Sequence, residues 1–203
     1  LDPHYVSPHL NKAMCLLSLG QFEEGWRLYE WRWQNAQWAS SRRHFPQPLW
    51  LGDAGIAGIA DIADIAGKRL LVYAEQGLGD TLQFCRYLFL LHEAGVRLTF
   101  EVPASLVALL SCLPVTLRTA ETHDAQAADD IDYQCPLLSL PLAMKTRLES
   151  IPLPSAYLHA PADKQALWRE RMPRSAKLRI GVVWAGAPAH QNDAQRSISL
   201  DLF

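Results

Sequence analysis

The feature that most constrains the fold of this chain is an alternation of strand-like and helix-like patterns from residue 68 onward. Apolar runs of strand length, such as RLLVYA at 69–74, are followed by longer segments with apolar residues at helical spacing. The predicted strands cover 69–74, 96–102, 115–118, 131–136 and 178–186, and the predicted helices cover 80–95, 103–113, 137–144 and 165–172. This alternation indicates a doubly wound α/β domain with a parallel, Rossmann-like sheet, which binds ligands beyond the carboxyl ends of its strands.

Residues 1–45 carry a different pattern, that of two helices. Apolar residues fall near a 3.6-residue period in the first helix, Gly20 interrupts the pattern, and a second helix begins near Phe22. The aromatic residues of the second helix recur at helical spacing and predict one packing face: Phe22, Trp26, Tyr29 and Trp33. The sequence therefore predicts a helical hairpin before the α/β region.

Residues 46–67 are predicted to be a linker. FPQPLWLGD is rich in turn formers, and GIAGIADIADIAG repeats a Gly/Asp-Ile-Ala triplet. A period of three fits neither an amphipathic helix nor a strand, so we expect an expanded loop, with a short helical turn as the alternative. The predicted organisation is a hairpin over 1–45, this linker, an α/β domain over 68–177 and the start of a second α/β domain over 178–203.

Charge and cysteine usage exclude several classes of protein. A net charge of −2 gives no electrostatic footprint for nucleic acid. Apolar runs such as YLFLL at 87–91 are too short to cross a bilayer, and no secretory signal is visible. The four cysteines are scattered without a C-x-x-C pair, which argues against a zinc site or a disulfide scaffold and fits a reducing, cytoplasmic compartment.

The segment AEQGLGDTLQF at 74–84 reads as the end of a strand, a glycine-rich turn and the start of a helix. Asp80 follows the second glycine and would repel a phosphate. One interpretation is a helix N-cap, completed by Gln83 three residues later. The other is a carboxylate that accepts a proton from a hydroxyl nucleophile at the ligand crevice, approached across the two glycines. The turn lacks a third glycine and a P-loop lysine, so it does not predict a dinucleotide or ATP cradle.

Several motifs occur in one order along the chain. LGQFEEG at 19–25 matches the tetratricopeptide signature, with Gly25 where alanine is usual. EGW…YEWRW (24–33), EQGLGD (75–80), PLLSLPLA (136–143) and GVVWAG-x-P-x-H-x-ND-x-x-RSI (181–198) follow. In this combination the chain resembles bacterial proteins in which tetratricopeptide repeats precede a heptosyltransferase-like glycosyltransferase region. It departs from them in the triplet linker and in SIS at 197–199, where SIP is typical.

The resemblance implies a GT-B fold, in which two Rossmann-like domains face a cleft, and an inverting, metal-independent transfer from a nucleotide-sugar to a hydroxyl acceptor. Asp80 matches the catalytic base of that family. The resemblance also implies an acceptor-binding set and a donor-binding set, of which the basic residue near the donor phosphates is Arg196. The acceptor set is Glu75, Gln76, Gly77, Gly79, Thr81 and Gln83, and the donor set is Gly186, His190, Asn192, Arg196 and Ser197.

Two other functions stay open at this stage. The helical repeats could recruit a protein partner while the α/β domain serves as a non-catalytic scaffold, or the glycine-rich turn could bind a small-molecule regulator. The resemblance also implies that the chain is a C-terminally truncated piece, with repeats upstream and most of the donor domain downstream. Because a Rossmann-like domain needs roughly 100 residues, we expect the 203-residue chain alone to be inactive.

Overall fold

The computed structural model describes residues 5–39, 42–52, 61–119, 131–152, 156–172, 177–186 and 192–202. The chain divides into two units, Leu1–Pro161 and Ala162–Phe203. The first unit contains the sheet and the hydrophobic core. The second contains short helices and extended segments, and none of its described residues is buried.

The first unit opens with helices, as the sequence predicts. Helix α1 spans Val6–Ser18 and α2 spans Phe22–Tyr29, and a 3-10 helix, Glu30–Gln34, and the short α3, Ala36–Ala39, follow. The turn between α1 and α2 has Gly20 in the left-handed region, with φ of 75°. The predicted aromatic face forms over its first three members, whereas Trp33 lies in the 3-10 helix and stacks on the Arg32 guanidinium.

The sheet has four parallel strands in the order β3-β2-β1-β4. These are β1 (Arg69–Tyr73), β2 (Arg97–Glu101), β3 (Thr116–Arg118) and β4 (Tyr133–Pro136). In the central strand β1, successive residues from Leu70 to Tyr73 are all buried. Because successive side chains of a strand point to opposite faces, both faces of the sheet are covered. The predicted α/β class and parallel sheet are therefore confirmed.

The predicted helix over 80–95 is two helices, α4 (Leu78–Phe84) and α5 (Tyr87–Glu93). At the break, the Arg86 side chain donates from Nε to the Gln83 carbonyl, one of the last carbonyls of α4, at 2.8 Å. The predicted end at Gly95 is confirmed, with Gly95 at φ of 80°. The predicted helix over 103–113 is a 3-10 turn, Ala104–Leu106, followed by α6, Val107–Leu110. The one over 137–144 is a 3-10 turn, Leu137–Ser139, followed by α7, Leu140–Ala143.

Part of the predicted linker belongs to the sheet. Leu49 forms a parallel bridge with Gln134 of β4, and the Trp50 amide donates to the Gln134 carbonyl at 2.8 Å. Trp50 is fully buried. Residues 53–60, which hold most of the triplet repeat, lie outside the described residues. The last triplets form a 3-10 helix, Ile62–Ile65, in agreement with the alternative of a short helical turn.

The second unit contains α8 (Ala162–Arg171), α9 (Asp193–Arg196) and a 3-10 helix, Leu200–Leu202. The predicted strand over 178–186 is wrong: these residues have no strand or helix structure. A strand needs a hydrogen-bonded neighbour, and no described strand pairs with this segment. Its apolar side chains are consequently exposed, Leu178 at 87% and Val183 at 91%.

Candidate functional site

The candidate site lies where strand order reverses in the sheet. From β1, the chain adds β2 and β3 on one side and then β4 on the other. Ligands of open α/β sheets bind outside the carboxyl ends of the strands at such a switch point. The segments that leave β1 and β4 meet there, because the Leu138 amide donates to Glu75 Oε1 at 3.2 Å. We call the edge of the sheet formed by residues 74–80 and 136–139, where a ligand of such a sheet is expected, the switch-point crevice.

Helix α4 begins within the Gly77–Asp80 segment. Its N-cap lies about one helical turn before the position that the sequence predicts. Gly77 is the N-cap, and Asp80 is the third helical residue. Asp80 Oδ2 accepts the Gly77 N–H at 3.0 Å, and Thr81 Oγ1 donates to the Gly77 carbonyl at 3.1 Å. The predicted N-cap at Asp80 with Gln83 as its partner is therefore wrong, because the glycine before Leu78 takes the cap and moves the carboxylate inside the helix. Asp80 closes the first turn by a bond back to the cap residue.

Of the two glycines in this turn, Gly79 is not required by the fold, whereas Gly77 is the N-cap of α4. Gly77 and Gly79 are exposed, and neither has a positive φ. A Cβ at Gly79 would meet nothing within 4 Å, and one at Gly77 would contact only the end of the Asp80 side chain, at 3.1 Å. Glycine in a helix is less favourable than alanine by about 1 kcal/mol. The open surface at Gly79 thus leaves room for another molecule beside Asp80.

A buried ionic cluster lies beneath the turn. We call it the Arg32 cluster: Arg32, Glu30, Glu75 and Ser139. The Arg32 side chain is 0% exposed and donates to both carboxylates, with Nη2 at 3.1 Å from Glu75 Oε1. Nη2 also lies 2.7 Å from Ser139 Oγ, and that hydroxyl donates to Glu30 Oε1 at 2.8 Å. One guanidinium therefore holds two carboxylates and joins the helical segment to the sheet.

The charges of the Arg32 cluster are unbalanced, with two carboxylates to one cation. Burial raises the pKa of Glu75 from its ordinary 4.5 to about 7; Arg32 and the Leu138 amide oppose this, and the charge of Glu30 adds to it. Among the described residues, Glu75 Oε2 and Arg32 Nε have no hydrogen-bond partner. Glu75 is thus poised between its neutral and charged forms near pH 7, inside the protein.

Tyr29 connects the Arg32 cluster to the glycine-rich turn. Its hydroxyl accepts the Gln76 side-chain amide at 2.8 Å, and its ring lies 4.9 Å from the Arg32 guanidinium carbon. Burial raises the pKa of Tyr29, so its hydroxyl stays protonated at neutral pH. The conformation of the turn therefore depends on contacts from the helical segment that precedes the sheet.

The structure separates the predicted acceptor residues into two groups. Gln76, Gly77, Gly79 and Gln83 are exposed or half-buried, as is the predicted base, Asp80. Glu75 and Thr81 are buried, and their polar groups bond within the protein.

Three of the five sequence motifs converge here. EGW…YEWRW supplies Glu30 and Arg32, EQGLGD supplies Glu75, and PLLSLPLA supplies Ser139. Sequence reasoning quoted these motifs but assigned no role to Glu30, Arg32 or Ser139. An available signal was the placement of arginine and glutamate beside the aromatic residues of a predicted packing face, where a charge needs a partner.

The predicted donor residues lie in the second unit. The Gly186 amide donates to Ser197 Oγ at 3.1 Å, and Ser197 Oγ donates to Asp193 Oδ1 at 2.8 Å. Arg196 lies with its Nε 3.5 Å from the same carboxylate. A Cβ at Gly186 would stand 2.6 Å from the Arg196 guanidinium, so glycine allows this approach. Asn192 caps α9, and His190 lies outside the described residues.

The described residues show neither a candidate metal-binding group nor a candidate membrane-spanning helix. The described residues contain no group of three or more His, Cys, Asp and Glu side chains placed to hold a metal ion. No helix in the described part of the chain combines the length and the apolar character that crossing a membrane requires.

Comparison with known proteins gives one distant relative. Over 190 residues the chain is 25% identical to Protein FlbA of Caulobacter vibrioides, and the alignment covers 85% of this chain and 30% of that protein. The chain thus spans about 30% of the length of the curated relative that it matches. No family model matches the chain, and no solved structure matches it.

Proposed function

We propose that this chain is part of a glycosyltransferase that moves a sugar from a nucleotide-sugar to a hydroxyl acceptor, with inversion and without a metal. The supporting observation is the place of Asp80. It follows the central strand at the switch-point crevice, in a turn where the fold does not require the glycine at position 79. In this proposal the sheet is the first half of a GT-B fold and α1–α2 is a tetratricopeptide-type hairpin.

Asp80 serves as the general base. The acceptor hydroxyl loses its proton to the carboxylate as its oxygen bonds to the anomeric carbon, and the bond from that carbon to the diphosphate oxygen breaks with its electron pair. Asp80 lies in the first turn of α4, two residues before Leu82 and next to the N-terminal N–H groups of the helix. The basic side chain of Arg196 is the candidate group for the charge that develops on the diphosphate.

The two glycines and the buried residues have separate roles in this proposal. Gly77 and Gly79 let the acceptor approach the backbone beside Asp80. Glu75 and Gln76 act as positioning residues, because Glu75 anchors the segment before the turn to Arg32 and Gln76 anchors it to Tyr29.

The Asp80→Asn variant of the full-length protein tests the catalytic role. Asparagine can still accept the Gly77 N–H, so we expect the melting temperature to change little. Loss of the base should lower turnover of nucleotide-sugars by ~10²–10⁴-fold.

Asp163→Asn is the matched control, because Asp163 is also a carboxylate in the first turn of a helix, α8. It should retain wild-type turnover. Wild-type turnover in Asp80→Asn would leave Asp80 with a role in the turn alone and would contradict the proposal.

A second candidate function is a non-catalytic scaffold that binds a protein partner. One observation favours it: the fully buried Arg32 side chain reaches Glu75 and Ser139 on both flanks of the switch-point crevice, where a ligand of an open α/β sheet is expected. Incubating the full-length protein with a panel of nucleotide-sugars separates the two. Release of nucleoside diphosphate supports the transferase, and a lack of any release supports the scaffold.

A further inference from the structure

The segment that joins β1 to α4, residues 74–77, is held in place largely by side chains. Its first amide donates to a carbonyl of β2 at 2.9 Å, and residues 75–77 belong to no helix or strand. The Glu75 carboxylate is bound within the Arg32 cluster, and the Gln76 side chain is bound to Tyr29 of α2. The position of the turn that follows therefore depends on these two side-chain contacts.

The first of these contacts has one cation for two carboxylates. The Arg32 side chain is 0% exposed and that of Glu75 is 1% exposed, whereas that of Glu30 is 19% exposed. With both carboxylates ionised, the three side chains carry a net charge of −1 inside the protein. Such a charge is costly to bury, and a proton on one carboxyl removes it. Glu75 is the more deeply buried of the two and therefore gains most from the proton.

Titratable and charged groups face Glu75 from the elements packed around it. They are Arg32, Glu30 and Tyr29 from the helical segment, Tyr73 from β1 and Cys135 from β4. Further out, Asp80 faces Tyr29 and Arg42 faces Tyr73. Burial raises the pKa of Tyr29, Tyr73 and Cys135, so these three are uncharged near neutral pH. Among these neighbours, the charges in direct contact with the Glu75 site are those of Arg32 and Glu30.

The ionisation of Glu75 changes how firmly this segment is held. Glu75 Oε1 accepts from Arg32 Nη2 at 3.1 Å and from the Leu138 amide at 3.2 Å, and hydrogen bonds to an ionised carboxylate are stronger than those to a neutral carboxyl. Oε2 has no partner among the described residues, so a proton there is a buried donor without an acceptor, and the neutral side chain gains by moving. Ionisation thus costs desolvation energy while it tightens both contacts.

We propose that Glu75 is a pH-sensitive switch for the Gly77–Asp80 turn. The ionised carboxylate fixes the turn to the helical segment through Arg32 and to the segment after β4 through the Leu138 amide. The neutral carboxyl loosens both contacts and gives the turn more freedom. The switch concerns the conformation of the turn, so it is the same in a transferase and in a scaffold and does not depend on either proposal.

Proton–nitrogen correlation spectra of the 203-residue chain, recorded from about pH 5 to about pH 9, test the switch. The Gly77 and Gly79 amide shifts should titrate with a common midpoint near pH 7, the pKa of Glu75 in the fold, and the backbone order parameters should be higher above it. Both changes should vanish in Glu75→Gln and persist in Asp80→Asn. A titration that survives in Glu75→Gln or is lost in Asp80→Asn, or equal order on the two sides of the midpoint, would overturn the proposal.

Glu30→Gln tests the switch without altering Glu75. The charge of Glu30 raises the pKa of Glu75, so its removal should lower the midpoint of the turn titration by about one pH unit. Glutamine keeps an oxygen that can accept from Arg32 and Ser139. Glu24→Gln is the matched control, because Glu24 is a carboxylate of the neighbouring helix α2 that pairs with the exposed Lys12, and it should leave the midpoint unchanged. An unmoved midpoint in Glu30→Gln would contradict the proposal.

Discussion

At the scale of single residues, the fold raises the pKa of the Glu75 carboxyl by burying it. The fold places it beside Arg32, which Glu30 also engages, and gives it no contact with water: its side chain is 1% exposed. The neutral form avoids the desolvation cost, while the charged form gains the guanidinium. With a pKa of about 7, the two forms have similar free energies at neutral pH.

This balance predicts a pH dependence of stability that Glu75→Gln removes. The folded protein binds the Glu75 proton more tightly than the unfolded chain, because the pKa is about 7 in the fold against 4.5 ordinarily. The stability that the neutral form contributes is fully present below pH 4.5 and is lost as the pH rises through 7. Its loss amounts to at most roughly 3.5 kcal/mol, at about 1.4 kcal/mol per pKa unit.

Urea denaturation at a series of pH values checks this prediction. The difference in free energy of unfolding between wild type and Glu75→Gln should fall from pH 4.5 to 7 and then level off. Glu93→Gln, on the exposed side of α5, should follow the wild-type profile. A difference that is constant across this range would show that Glu75 titrates alike in both states.

The sequence predicts some residues of the candidate site and misses others. Asp80 was found because its signal is local: two glycines and a carboxylate after a strand. The N-cap predicted at Asp80 is wrong by one helical turn. Gly77 and Asp80 both suit an N-cap, and the local sequence does not show which of them takes that position. Arg32 was not found because its partner Ser139 is 107 residues away, and no local pattern encodes such a contact.

At the scale of elements, residues 48–52 extend the sheet beyond β4. The segment ends at Gly52, which has φ of 61° and whose Cβ, if present, would stand 2.3 Å from the Ala143 carbonyl oxygen of α7. Both the backbone conformation and the close approach of α7 therefore require glycine. Gly67 has φ of 75°, but a Cβ there would meet nothing within 4 Å.

The two glycines form a matched pair for mutation. Gly67→Ala should destabilise the chain by about 1–2 kcal/mol, the cost of a side chain in the left-handed region. Gly52→Ala should cost the same amount and at least about 1–3 kcal/mol more, because the strand segment and α7 must separate. Chemical denaturation of both variants measures the difference. Equal losses would mean that the contact of Gly52 with α7 adds nothing to stability.

A strand was predicted correctly where an apolar run in the sequence also has a hydrogen-bonded neighbour in the sheet. Strands β1 and β2 were predicted to within a few residues, since their apolar runs are flanked by turn formers and both strands find neighbours in the sheet. The run at 178–186 is equally apolar but has no paired neighbour among the described strands, so propensity alone does not make it a strand. Leu49 pairs with Gln134 despite its turn-rich surroundings, because Trp50 is buried.

At the scale of the whole molecule, stability resides in the first unit. The hydrophobic core of the described residues runs from Leu10 to Ala143, and none of the described residues after 161 is buried. We therefore expect the chain ending at Pro161 to unfold with a melting temperature within about 2 °C of the full chain, since a change of 1 kcal/mol shifts it by roughly 2–4 °C at this size.

A shorter chain is the control for this truncation. Ending the chain at residue 152 also removes Tyr157, whose hydroxyl donates to the Leu82 carbonyl at 3.0 Å and whose ring contacts the Arg86 guanidinium. That chain should melt clearly below the one ending at Pro161. A large loss on removing 162–203 alone would show that the second unit supports the first.

The bond between Arg32 and Ser139 also sets an order of events on the ribosome. The two residues are 107 positions apart, so at about 5–20 residues per second Arg32 is synthesised roughly 5–20 s before its partner. During that interval the Arg32 side chain of the nascent helical segment is in water, whereas in the folded protein it is fully buried. The segment can dock only after β4 has been made, and until then its aromatic face is open to chaperones.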